Sequence, residues 1–200
     1  MGRKSKADER KPEILRSAYE VVKREGLENT TLARIAEHMG VATSLLTHYF
    51  KSKEEIIRSL ADYMVGIYDE SVLLDYSKII DPKERIEAIL DARLWEFSRQ
   101  AVDDQVWYDV YNLSLRNEKI KKCFEDLYKR DAKAVRRELD IIMKAVPDAV
   151  DTEALSAAVI MMSEGISYYY SIISDNRHVD AAANLMKDMF ISYIEGLGNK

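Results

Sequence analysis

The sequence predicts an all-α protein, and three observations indicate it. The 200 residues include only seven glycines and three prolines, too few to interrupt long helices often. Apolar residues recur every three or four positions along most of the chain, which is the spacing of one helix face. Capping residues (Ser, Thr, Asp or Asn) precede several of these segments. A composition of 47% hydrophobic and 32% charged residues is that of a globular protein with a core.

The first helix is predicted from Asp8 to Glu25. Pro12 lies near its start, where the missing N–H costs little, and Gly26 follows its end as a C′ residue. Its apolar face is formed by Ile14, Leu15, Ala18, Tyr19 and Val22.

The next two helices are predicted to be short. Thr30 or Thr31 caps the second helix, and Gly40 ends it. The third helix extends from Thr43 to about Phe50. A helix that ends at glycine, a turn of about four residues and a second short helix form the helix-turn-helix pattern.

Longer helices are predicted in the rest of the chain. Ser52 caps the fourth helix, with Glu55 as its capping-box partner, and this helix extends to about Asp75. The helix that starts near Asn117 is expected to end before Pro147. The other predicted starts are Asp81-Pro82, Asp103 or Asp104, Asp151 or Thr152, and Val179.

The third helix has an unusual polar face. Helical spacing places Thr43, Ser44, Thr47 and His48 on this face, with Leu45 at its edge and Leu46, Tyr49 and Phe50 on the opposite side. Small polar side chains can enter a DNA major groove without a steric clash and can form hydrogen bonds with base edges or phosphates. The alternative is an ordinary solvated helix surface.

Charge is distributed unevenly along the chain. Residues 1–58 contain twelve Lys and Arg against nine Asp and Glu, whereas residues 59–200 contain eighteen against twenty-six. Arg34 and Lys53 flank the third helix and are expected to contact DNA phosphates. The cationic N-terminal arm contributes Arg3, Lys4, Lys6, Arg10 and Lys11.

The segment TTLARIAEHMGVATSLLTHYFKSKEEII, from Thr30 to Ile57, resembles the DNA-binding signature of the TetR family of transcriptional regulators. The resemblance implies a homodimeric repressor that releases a palindromic operator when a small molecule binds. The TSLLTHYF spelling is similar to that of the choline-responsive repressors of this family. By position, the residues that would face the groove are Thr43, Ser44, Leu45 and Thr47, and those that would contact phosphates are Thr31, His48, Tyr49 and Lys53.

Two residues depart from the family pattern. Thr47 stands where the family commonly has Tyr, so one backbone contact is missing or replaced by a base contact. Ala42 stands where the family commonly has a Ser cap, so we expect Thr43 to cap the third helix instead.

We therefore expect residues 1–52 to form a helix-turn-helix DNA-binding domain and residues 53–200 a helical-bundle domain for ligand binding and dimerisation, with about nine helices in all. Each buried Trp or Tyr side chain needs a hydrogen-bond partner, and an apolar cavity with a few polar groups would explain why so many are present. The alternative is ordinary helix-bundle packing, which is favoured for any single one of these residues. Our candidates for the ligand site are Trp95, Trp107, Tyr108, Tyr111, Phe124, Tyr128, Met161, Glu164 and Tyr168.

Three further expectations concern the body. Its aromatic residues together with an acid could hold a quaternary ammonium ion, and Glu96, Asp109 and Glu164 are open alternatives for that acid. The last two helices are expected to form the homodimer. The transmitters between body and head are expected on the fourth helix, at Tyr63, Met64 and Ile67.

Other classes of function fit the sequence poorly. The three histidines lack a metal-ligand spacing, Cys123 lies on an apolar stripe and no glycine-rich phosphate loop is present, so we expect no enzyme, metal or cofactor. A transcriptional activator of the same fold and an interaction module without DNA binding stay open as alternatives. The single cysteine, the charged N-terminus and the absence of an apolar run of eighteen residues predict a cytoplasmic protein without a membrane span.

Overall fold

The computed structural model of the protein describes residues 6–72, 76–96, 102–145 and 150–198. Within these ranges the chain forms nine α-helices and no strand, which confirms the predicted all-α class. The helices are α1 (Lys6–Glu25), α2 (Leu32–Met39), α3 (Thr43–Tyr49), α4 (Lys53–Val72), α5 (Pro82–Asp91), α6 (Asp104–Leu113), α7 (Glu118–Ile142), α8 (Thr152–Ile172) and α9 (Arg177–Gly198). A π-helical turn, Ala92–Glu96, follows α5, and a 3-10 turn, Met143–Ala145, follows α7.

The two predicted glycine stops are confirmed. Gly26 and Gly40 have φ values of 79° and 64°, in the left-handed region that favours glycine. At the end of α2, the N–H groups of Gly40 and Val41 donate to the carbonyls of Glu37 and Ala36. These bonds satisfy carbonyls that the last turn of the helix leaves without partners.

Five predicted helix caps are also confirmed. Thr31, Asp81, Asp103, Asn117 and Asp151 each accept backbone N–H groups from the first turn that follows. Helix α9 begins at Arg177 rather than Val179. The reason is that Asp175 accepts from the Arg177 N–H and pairs with its guanidinium, which starts the helix two residues early. The predicted helix positions Asp75, Phe97 and Val146 lie outside the described residues.

The chain divides into two compact units. Unit 1 comprises Met1–Glu70 and Val102–Asp126, and unit 2 comprises Ser71–Ala101 and Leu127–Lys200. Helix α6 and the first part of α7 therefore belong to the same compact unit as the first three helices. The functional boundary between residues 52 and 53 stays a prediction, because compactness does not report which residues bind DNA or a ligand.

The first three helices pack on a common apolar core in unit 1. Leu46 and Phe50 at the end of α3 are almost completely buried against side chains from α1 and α2. The other members of this core are Ile14, Ala18, Val21, Ile35, Ala36 and Ile56. The short α3 is therefore held by tertiary packing, which is how helices too short to be stable alone persist in proteins.

The core of unit 2 is built from α5, α7, α8 and α9. Its buried side chains include Ile86, Leu90, Leu139, Val159 and Ile191. A buried ion pair joins Arg93 of the π-helical turn to Asp131 of α7, and the two side chains are 5% and 4% exposed. Within the described residues, no helix is long and apolar enough to cross a membrane.

Candidate functional site

Helix α3 presents the polar face that the sequence predicts. Thr43, Ser44, Thr47 and His48 are exposed, and Leu45 at the edge is half-buried. Leu46 and Phe50 anchor the opposite side. The exposed hydroxyls and the imidazole leave a surface that can approach a groove without first displacing a core residue.

The start of α3 differs from expectation. Ala42, and not Thr43, occupies the N-cap position, with extended backbone dihedrals and no side-chain capping bond. Thr43 is the first helical residue, so the prediction that Thr43 caps the helix is wrong. The Leu45 N–H donates to the Ala42 carbonyl at 2.9 Å, so the backbone of Ala42 accepts the first hydrogen bond of α3. The Thr43 side chain remains exposed on the polar face.

Thr47 at the predicted reading position bonds to its own helix. Its Oγ1 donates to the Ser44 carbonyl at 3.0 Å. This local bond is of the kind that a helical Thr readily forms, and a rotation about χ1 exchanges it for another partner.

The predicted phosphate contacts have different surroundings. Thr31 caps α2 by accepting the Arg34 N–H at 3.2 Å, and both side chains are exposed. The Arg34 guanidinium pairs with Glu37 at 3.1 Å. His48 and Tyr49 form an edge-to-face contact with ring centroids 5.1 Å apart.

Lys53 is already engaged by the protein. Its Nζ donates to the carbonyls of Leu27 at 2.7 Å and Glu28 at 3.1 Å, in the turn between α1 and α2. In the N-terminal arm, Lys11 lies over the Phe50 ring at 5.7 Å, and Arg10 pairs with Glu13. The positions of Arg3 and Lys4 and the side chain of Lys6 lie outside the described residues.

Helix α6 attaches to the same part of unit 1. The Asp109 carboxylate accepts the Leu27 N–H at 3.2 Å, and the Asp103 N–H donates to the Tyr19 hydroxyl oxygen at 2.7 Å. Burial raises the pKa of Tyr19. The sequence does not predict this attachment, because its pattern identifies Asp103 only as a candidate helix cap and Asp109 only as a candidate ligand acid. No periodicity in the sequence relates residue 27 to residue 109.

Four of the predicted ligand residues lie in unit 1. The rings of Trp107 and Tyr111 each meet Phe124 edge-on, at 5.2 and 5.1 Å between centroids. Tyr68 of α4 lies against Trp107 at 5.6 Å. Trp107 and Phe124 are buried, whereas Tyr108 is half-buried. These contacts describe a packed aromatic cluster.

The other five predicted ligand residues lie in unit 2, where the structure brings Tyr128 and Glu164 together. The Tyr128 hydroxyl donates to Glu164 Oε2 at 3.0 Å. Burial, together with the nearby charge of Asp131, raises the pKa of Glu164 to about 6. The residue before Glu164 on α8 is Ser163, and its hydroxyl donates to the carbonyl of Arg93 at 2.7 Å. The result is a polar cluster in which Arg93 and Asp131 are buried and Tyr128 and Glu164 are half-buried.

The remaining three residues of that group have separate environments. Trp95 is half-buried, and the Lys187 ammonium lies 5.9 Å from its ring centroid. Met161 and Tyr168 are 72% and 51% exposed on α8. Their exposure does not fit the wall of a closed pocket.

An apolar groove lies on unit 2 between α8 and α9. It is lined by Met161, Met162, Gly165, Ile166, Tyr169, Ile173, His178, Val179, Ala182 and Met186. Further large apolar side chains are exposed on these two helices at Leu185, Met189, Tyr193 and Ile172. Monomeric soluble proteins carry few exposed apolar patches of this size.

Comparison with known proteins agrees with the geometry of the first three helices. Residues 14–60 match the model of the bacterial regulatory proteins of the tetR family. The regulator BetI of Rhizobium meliloti is 23% identical over 192 residues, which cover 95% of this chain and 92% of that protein. Residues 14–60 therefore belong to the tetR family of bacterial regulatory proteins.

Solved structures share the fold of this chain over nearly its whole length. A TetR transcription regulator from Haloarcula marismortui superposes with a TM-score of 0.77 at 17% identity, covering 92% of this chain and 97% of that one. A transcriptional regulator from Saccharomonospora viridis, solved in complex with choline, gives a TM-score of 0.71 at 21% identity, covering 94% and 96% of the two chains. These superpositions show that the chain shares the fold of the two regulators.

Proposed function

We propose that this regulator is a cytoplasmic homodimeric repressor that binds a palindromic operator through α3 and releases it when a small molecule binds in the body. The observation that carries the proposal is the exposed polar face of α3 over a buried Leu46–Phe50 anchor. Such a helix can enter the groove while its rear side keeps its place in the core. The head in this proposal is residues 1–52 and the body residues 53–200.

We assign the two kinds of DNA contact by position on the head. Thr43, Ser44, Leu45 and Thr47 face the base edges. Thr31, Arg34, His48 and Tyr49 contact phosphates, which fix the position of the protein without reading sequence. Lys53 is left out of this set because its ammonium already serves two backbone carbonyls.

The exposed apolar surface of α8 and α9 supports the dimer. A second copy of the chain would bury Met161, Tyr168, Leu185 and Met189, so we reassign Met161 and Tyr168 from the ligand site to this interface. Two-fold symmetry would then present two α3 helices to successive major grooves, roughly 34–36 Å apart. A palindromic operator follows from that symmetry.

For the effector we propose a small organic cation held beside Glu164. Of the three acids that the sequence left open, Asp109 serves the Leu27 N–H, the side chain of Glu96 lies outside the described residues, and Glu164 is buried beside Tyr128 and Asp131. A cation would stabilise the ionised Glu164 carboxylate that burial disfavours. The choline complex of the Saccharomonospora viridis regulator makes choline the first compound to test.

DNA reading can be tested with two alanine variants, one at a base-reading position and one at a phosphate-contacting position. Thr47→Ala is expected to change the order of preference among operator variants, because it removes a base contact. Arg34→Ala is expected to weaken binding to all duplexes alike and to lower the slope of log K against log salt by about 0.9, because it removes a phosphate contact. Fluorescence anisotropy with a duplex from upstream of the protein's own gene measures both. Failure of the wild-type protein to bind this duplex at low salt would favour an interaction module without DNA binding.

The effector can be tested by calorimetry with choline and with 3,3-dimethylbutan-1-ol, its uncharged carbon isostere. Binding of choline but not of the isostere is expected, together with at least tenfold weaker binding to Glu164→Gln. Saturating choline should also release the duplex, since a ligand shifts an equilibrium only by its differential affinity for the two states. Unchanged operator affinity with choline shown to be bound would refute its role as the effector.

A further inference from the structure

The turn between α1 and α2 is held on both sides of a single residue. The N–H of Leu27 donates to the Asp109 carboxylate of α6 at 3.2 Å. The carbonyl of Leu27 accepts from the Lys53 ammonium, at the first residue of α4, at 2.7 Å. The two polar backbone groups of Leu27 are therefore bound to two different helices, and in both bonds the partner is a charged side chain.

Hydrogen bonds inside this turn connect Leu27 to the start of α2. Thr30 is buried, and its hydroxyl donates to the Gly26 carbonyl at 2.9 Å while its N–H donates to the Leu27 carbonyl at 3.3 Å. The next residue, Thr31, is the N-cap of α2. A shift of Leu27 therefore changes the position of the helix on which α3 is packed.

Helix α6 has a second attachment beside the first. The Asp103 N–H donates to the Tyr19 hydroxyl oxygen at 2.7 Å, and the Asp103 carboxylate pairs with Lys23 at 3.4 Å. Both α1 residues lie in the last two turns before Gly26. Asp109 is thus on a helix whose start is fixed to α1, so that its bond to Leu27 connects two already ordered segments.

We propose that Asp109 and Lys53 are positioning residues for DNA binding, which hold Leu27 from opposite sides and so fix the α2–α3 pair in its reading orientation. The inference rests on the proposed role of α3 as the DNA-reading helix. It replaces both earlier assignments, because Lys53 then contacts no phosphate and Asp109 contacts no effector. Hydrogen bonds to charged groups are the stronger kind, and losing one that orders the head is expected to weaken operator binding about tenfold.

The role of Lys53 is tested with Lys53→Met, which keeps an unbranched side chain of four heavy atoms and removes the ammonium. We expect the operator dissociation constant to rise about tenfold, with the slope of log K against log salt unchanged. Lys53→Arg is the matched control, since a guanidinium can still donate to both carbonyls, and it should restore most of the affinity. A slope lower by about 0.9 in Lys53→Met would show that Lys53 neutralises a phosphate and would overturn the proposal.

The role of Asp109 is tested with Asp109→Ala and Asp109→Asn. The Asn side chain keeps an acceptor for the Leu27 N–H, whereas Ala removes it. We expect Asp109→Ala to lose both amide hydrogen-exchange protection at Leu27 and operator affinity, and Asp109→Asn to keep most of both. Lost protection with full operator affinity would refute a positioning role.

Two comparisons keep the test independent of folding and of the proposed function. Far-UV circular dichroism and thermal melting identify a variant that has simply unfolded, and the conservative variant of each residue then decides the result. If the wild-type protein binds no duplex at all, the proposed function fails. If it binds and both Lys53→Met and Asp109→Ala bind equally well, only the positioning role fails.

Discussion

At the scale of single residues, Glu164 has the most perturbed surroundings among the acids described. Its carboxyl group is buried on α8 with the Tyr128 hydroxyl as hydrogen-bond donor and the charge of Asp131 nearby. Burial removes hydration from the ionised carboxylate, which raises the pKa of Glu164. The hydrogen bond from Tyr128 stabilises the ionised carboxylate, which lowers this pKa. The pKa of about 6 shows that the loss of hydration is the larger effect.

The raised pKa of Glu164 predicts how the free energy of unfolding depends on pH. The pKa of Glu164 is higher in the folded protein than its ordinary value of 4.5, so the unfolded chain ionises first. Stability is therefore lost as pH rises from about 4.5 to 6, and the loss of about 2 kcal/mol is fully present above that range. Glu164→Gln should recover this free energy of unfolding at pH 7.5 and change little at pH 4, as measured by urea denaturation at fixed protein concentration.

The exposed Glu20 of α1 provides the control for this measurement. Glu20→Gln removes a carboxylate that remains in water, so it should leave the free energy of unfolding nearly unchanged at both pH values. Equal stability of Glu164→Gln and wild-type protein at pH 7.5 would mean that the Glu164 carboxylate is better compensated than its burial indicates.

At the scale of helices and turns, the left-handed glycine after α2 fixes the path of the chain into α3. Gly40 has φ of 64° and open space around the position of a Cβ atom. Gly66 lies within α4, exposed and likewise without a close neighbour. The two sites differ in backbone conformation and not in available space, so they form a matched pair.

Alanine substitutions at these two sites should have opposite effects. Gly40→Ala should lower the free energy of unfolding by about 1 kcal/mol, because a Cβ atom is strained at positive φ. Gly66→Ala should raise it by up to about 1 kcal/mol, because alanine is the better residue in a helix interior. Thermal unfolding of the two variants beside the wild-type protein measures the difference, and a destabilised Gly66→Ala would indicate that the second site is not simply solvated.

The local features of the helices were predictable from the sequence, whereas the bonds between distant residues were not. Caps and stops such as Thr31, Gly40, Asp81 and Asn117 were predictable, because each acts on backbone groups within a few residues of itself. The polar face of α3 was predictable because the helical period relates neighbouring side chains. The bonds of Leu27 to Asp109 and Lys53 were not, since they join residues that are 82 and 26 positions apart.

The candidate ligand residues were also only partly predictable from the sequence. Sequence composition indicated more aromatic side chains than a simple core needs, but it could not separate Trp107 and Phe124, which pack together, from Met161 and Tyr168, which are exposed. The proposed choice of Glu164 among the three acids rests on contacts in three dimensions, namely those of Glu164 with Tyr128 and of Asp109 with the Leu27 N–H. Which residues bind an effector remains a proposal.

At the scale of the whole molecule, the apolar surface of α8 and α9 predicts self-association. Met189 of α9 is 64% exposed, and a charge there would have to be buried unpaired in a dimer that covers this surface. Met189→Glu should therefore convert the protein to a monomer at micromolar concentration, as measured by sedimentation velocity. Operator affinity should fall with it, because a monomer binds only one half-site.

A second exposed apolar residue is the control for the dimer. Leu115, between α6 and α7, is 78% exposed and belongs to unit 1. Leu115→Glu adds the same charge outside the α8–α9 surface and should leave the sedimentation coefficient unchanged. Dissociation by both substitutions, or by neither, would place the interface elsewhere.

The uncapped start of α3 has a consequence for how such regulators diverge. Since Ala42 contributes no capping side chain and Leu46 and Phe50 hold the helix from behind, the outward residues carry little of the folding free energy. Substitutions at Thr43, Ser44 and Thr47 can therefore accumulate after a gene duplication without loss of the fold. Under the proposed role of α3, a duplicated copy would change its operator preference by substitutions at a few surface positions while it keeps its fold.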